Sequence, residues 1–150
     1  MQVSFSMKRS FLLFVLSSVL LFSGCSSLMH PKADEFYTQA KGATGKQTAL
    51  ALLAMMEASA QQAKTELGES PGLDNLHNQF HAFHGTFCEF TEQQSATTAF
   101  EQAYTLNKEL KPLFRRLWKF KDDTALRAVH LDLFSDRLKE LKEVLQSIPS

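Results

Sequence analysis

The chain has 150 residues, and its 16 basic and 16 acidic side chains cancel at neutral pH, with histidine counted as neutral. A chain with no net charge offers no global field for nucleic acid. A core drawn from this length, with 44% hydrophobic residues, needs no disulfide framework to stand.

The N-terminal segment has the order of an export signal. Lys8 and Arg9 precede a mostly apolar run from Phe11 to Phe22, which closes on Ser23, Gly24 and Cys25. The run is too short to cross the ~30 Å of a bilayer core comfortably as a helix. Phe22-Ser23-Gly24-Cys25 resembles the lipobox of bacterial lipoproteins, whose usual order is Leu, Ala or Ser, Gly or Ala, then Cys. Phe22 stands in the place of the preferred leucine, with Leu21 just before it. The resemblance implies a signal peptide over residues 1–24 and diacylation of Cys25, which becomes the mature N-terminus. Met7-Lys8-Arg9 makes a compact charged start of its own, so translation from residue 7 is an alternative. Ser26 follows the cysteine where an aspartate would imply retention in the inner membrane. The resemblance therefore implies the outer membrane, facing the periplasm, with the outer leaflet of the inner membrane as the alternative. Acyl chains at ~0.8 kcal/mol per buried methylene would make release negligible.

Residues 25–45 read as lipidated N-terminus, tether and short helix, and residues 46–150 as a helical bundle. His30-Pro31 discourages helix in the tether, and a short helix is expected over Asp34–Lys41. Gly42-Ala43-Thr44-Gly45-Lys46 breaks it. This segment lacks the spacing of a phosphate loop. Gln47–Leu67 is rich in strong helix formers, and Leu52, Met55, Met56, Ala60 and Ala63 share a face. Gly68 suits a helix end. Ser70-Pro71 suits a new start, with Ser as N-cap and Pro at the first helical position.

The next helix carries the clearest pattern. Leu73, Leu76, Phe80, Phe83, Phe87 and Phe90 recur at alternating spacings of three and four, an apolar heptad seam ending near Glu92. A third helix is expected from Ser95–Thr98, with Thr98-Ala99-Phe100-Glu101 as a capping box. Its stripe runs through Phe100, Ala103, Leu106, Leu110, Leu113 or Phe114, and Leu117, and Pro112 is expected to kink or split it. Asp122 and Asp123 are expected to cap a last helix with seam Leu131, Phe134, Leu138, Leu141, Leu145 and Ile148. No segment alternates with period two. The fold expected is all-α, an antiparallel four-helix bundle behind the signal peptide.

Two constellations bear chemistry. His77, His81, His84 and Cys88 lie on one helical face beside the phenylalanine seam. With His130 on the last helix and Met55 or Met56 on the first, they form a candidate set for copper, zinc or haem. The alternative is a row of boundary histidines, with pH sensing as a further role. Cys88 is buried, paired between chains, or a ligand, because acylation would consume the only other cysteine. Gly85 either permits close approach of a neighbour or is a tolerated defect. The second constellation is Lys108, Lys111, Arg115, Arg116, Trp118 and Lys119, a basic face with an aromatic edge. It suits an anionic membrane surface or an anionic partner, or is simply a solvated face. No nucleophile elbow, Ser-His-Asp order or nucleotide loop is present, so a non-catalytic binding protein is expected, with no cofactor required. Its partners would be the membrane, through acyl chains, and an envelope protein, but not nucleic acid.

Overall fold

The computed structural model describes residues 31–92 and 97–149. The lipobox-like segment with Cys25 lies outside them, as does the side chain of Cys88. The described chain is all-α, with no strand. Its helices are α1 (Pro31–Ala40), α2 (Gly45–Thr65), α3 (Pro71–Glu92), α4 (Thr98–Lys119) and α5 (Thr124–Ser147). Lys32–Ser150 makes one compact unit.

The helix ends follow local chemistry, with several differences from expectation. Helix α1 starts at Pro31 rather than Asp34, because proline is well suited to a first helical position. The cap of α4 is Thr97, one residue earlier than expected, with Oγ1 accepting from the Phe100 amide at 3.2 Å. Helix α4 also runs unbroken through Pro112. That ring lies on the exposed face, where the carbonyl it leaves without a donor can turn to water. Elsewhere, Ser70 Oγ accepts from the Leu73 amide at 3.1 Å, and Asp123 Oδ1 accepts from the amides of Ala125 and Leu126. Asp122 instead pairs with Lys121.

The apolar seams are buried as their spacing predicts. Leu73, Leu76, Phe80, Phe83, Phe87 and Phe90 of α3 join Leu110, Phe114 and Leu117 of α4 and Leu131, Phe134, Leu138, Leu141 and Leu145 of α5. Helix α2 adds Ala49, Leu52, Leu53, Met56, Ala60 and Ala63. Its small residues let backbones come close. A Cβ built on Gly72 of α3 would stand 2.7 Å from the Ala63 amide nitrogen and 2.8 Å from the Ser59 carbonyl. Backbones approach closely between α2 and α3, α4 and α5, and α2 and α5. The α3–α4 seam is filled by rings instead, with Phe80 stacked on Phe114 at 4.2 Å between centroids.

Contacts fix the relative directions. Lys64–Asp132 and Glu57–Lys142 pair α2 with α5, running opposite ways. Arg137 reaches Glu109 across α4–α5 at 3.2 Å. His77–Trp118 and Phe90–Phe100 do the same for α3 and α4. These ion pairs are partly exposed and contribute about 0–1 kcal/mol each, so they set register more than stability.

Arg127 is the buried exception. Its side chain lies on the α5 seam but is only 3% exposed, and its guanidinium donates to the carbonyls of Glu66, Gly68 and Lys121. At the other end, Lys46 Nζ caps the end of α5 by donating to the carbonyls of Gln146 and Ile148.

Candidate functional site

The histidine face of α3 divides into two parts. His77 and His81 are half-buried and face each other, Nε2 to Nε2 at 3.1 Å. Their position one turn apart places both over α4. The His77 ring lies 4.1 Å from the Trp118 ring and 5.5 Å from Phe114. The His81 ring meets Phe114 edge-on at 6.3 Å, with an interplanar angle of 86°. An aromatic wall from α4 therefore backs the pair.

His84 lies apart from that pair. It is stacked parallel to Phe80 at 6.5 Å. Burial pushes its pKa below the usual value, and the positive charge of Lys111 lowers it further. The imidazole is held toward its neutral form.

His130 is not drawn into this region. Its ring stacks on Phe120 at 5.2 Å, at the α4–α5 turn. Its Nδ1 is buried and has no hydrogen-bond partner among the described residues, as is true of Gln79 Oε1 and Asn107 Oδ1. Met56 is buried and Met55 half-buried in the core of α2. Among the described residues, no three histidine, cysteine, aspartate or glutamate side chains gather closely enough to hold a metal ion. Among the described residues nothing comes within 4 Å of a Cβ placed on Gly85, so no close approach of a neighbour is made there. The close approach is made at Gly72 instead.

Lys108, Lys111, Arg115, Arg116 and Lys119 are all exposed on α4. Lys108 Nζ lies over the Tyr104 ring at 4.5 Å and Lys119 Nζ over Phe120 at 5.2 Å. Trp118 does not project from this face. It is half-buried against His77 and Phe114, and stacks on Phe114 at 6.2 Å.

Two features were missed in the sequence. Leu126, Val129 and Leu133 form an exposed apolar stripe on α5, at 41%, 54% and 48% exposure. Their i, i+3, i+7 spacing was a visible signal, but the stronger seam beside it masked it. Arg127 carries a signal too, as a cation in seam register four residues before Leu131.

No protein-family model matches the chain, and no curated protein and no solved structure matches it either. Its class is defined by the fold alone: an all-α protein with an aromatic-backed histidine pair.

Proposed function

We propose that this is a lipid-anchored, periplasm-facing lipoprotein of the bacterial cell envelope that acts by binding rather than catalysis. The observation that carries the reading is Phe22-Ser23-Gly24-Cys25 at the end of a charged-then-apolar leader. The domain behind it is a four-helix bundle of α2–α5, with α1 as an added short helix. Support for the bundle comes from the closed ring of neighbours: α3 on α2, α2 on α5, α5 on α4, and the aromatic seam from α4 back to α3. The anchor is in the outer membrane.

Two surfaces support binding as the mode of action. The exposed cations of α4 would meet an anionic membrane surface or partner. The Leu126–Val129–Leu133 stripe of α5 offers apolar area to an envelope protein. The test is phase partitioning and membrane fractionation of the full chain against Cys25→Ser. Wild type should enter the detergent phase and sediment with outer membrane, and Cys25→Ser should lose both properties. A wild-type protein found in the aqueous phase overturns the anchor.

A further inference from the structure

We infer that His77 and His81 form a two-imidazole site for a divalent transition-metal ion, with copper(II) the best fit. The inference does not depend on the lipoprotein reading. It rests on two distances within the pair: 3.1 Å between the Nε2 atoms and 4.9 Å between the ring centroids.

Metal–imidazole bonds are about 2.0–2.1 Å long. A metal on the axis of each ring at that length meets both separations at a single nitrogen–metal–nitrogen angle of about 100°. That angle lies between the octahedral and tetrahedral values. A head-on hydrogen bond at the same nitrogen spacing would hold the centroids further apart, at about 5.4 Å. The two separations therefore match rings that share a metal and differ from those of a head-on pair.

The site is built as well as spaced. Trp118 packs on His77, and Phe114 meets both rings, so neither imidazole must be reorganised to present Nε2. The aromatic wall closes one side, and both rings are half-exposed. Two imidazole nitrogen ligands suit copper(II), nickel(II) or zinc(II), and the general order of affinities places copper(II) first. The wider set of His84, Cys88 and His130 is not required. His84 is stacked on Phe80, and His130 on Phe120.

Trp118 is the only tryptophan in the chain, and it touches His77. Copper(II) bound to the pair should quench its fluorescence. The experiment titrates the full chain in detergent with copper(II) and follows that signal. Wild type should quench saturably at one equivalent. His77→Gln and His81→Gln should each raise the apparent Kd at least tenfold, while His84→Ala, Cys88→Ser and His130→Ala leave it within twofold. In wild type alone, copper(II) should protect His77 and His81 together from an imidazole-acylating reagent read by mass spectrometry. This arm needs no variant to fold. Absence of quenching, unchanged quenching in His81→Gln, loss of quenching in Cys88→Ser, or protection of other histidines instead would overturn the site.

Discussion

Arg127 of α5 donates from Nη2 to the main-chain carbonyl of Glu66 at 2.5 Å, and this bond ties the α2–α3 turn to the α4–α5 turn. The same guanidinium reaches the carbonyls of Gly68 and Lys121, so two connections that are distant in sequence share one buried cation. Three acceptors arranged around a planar fork suit arginine and not lysine.

Arg127→Met should therefore destabilise the fold by about 2–4 kcal/mol, because it leaves partly buried carbonyls without a donor. Arg127→Lys should recover only part of that loss. Urea denaturation followed by circular dichroism reads both midpoints. A change below about 0.5 kcal/mol, the range of ordinary surface substitutions, would show that the clamp contributes nothing.

The two helical glycines of α3 should respond in opposite directions. Gly72→Ala would push a Cβ against the backbone of α2 and should destabilise the protein. Gly85→Ala meets open space and should stabilise by about 0.5–1 kcal/mol. Thermal melts of the pair check the contrast, and the same sign for both would contradict the packing described.

Stability should fall with acid in two windows. His84 has a folded pKa below its ordinary 6.5, through burial and then Lys111. The unfolded chain then binds the proton more readily, so its contribution is complete above 6.5 and declines as the pH falls from there toward the folded value. Glu66 lies below its ordinary 4.5, chiefly because Ser70 Oγ donates to it at 2.6 Å. Its contribution is present above 4.5 and is lost as pH falls through the depressed value. Melting temperature measured from pH 8 downward should lose its upper slope in His84→Gln and its lower slope in Glu66→Gln. Unchanged profiles would refute the assignments.

The apolar seams were legible because period alone places them. Leu131, Phe134 and Leu138 could face nowhere but inward on a helix that also carries Asp132, Asp136 and Lys139. Caps such as Ser70 and Asp123 were legible from residue type. What failed depended on partners. Thr97 and Thr98 are equally good caps in isolation, and only the bond to Phe100 chooses between them. Trp118 reads as an edge residue until His77 is seen against it. The histidine row reads as one face of four, but partner rings divide it into a pair and His84 alone.

The α5 stripe should be dispensable for folding. Leu126→Glu, Val129→Glu and Leu133→Glu should each change stability by less than about 0.5 kcal/mol, since all three are exposed. In cells, the triple variant should lose cross-links to envelope proteins while its abundance is unchanged. Retained cross-links would remove this face from the binding account.

The most direct measurement is the intact mass of the mature protein extracted from bacterial membranes. The account predicts a chain that begins at Cys25 and carries added mass from acyl chains, with Cys25→Ser giving no acylated species. A mature protein that begins elsewhere, or begins at Cys25 without acyl mass, would contradict it.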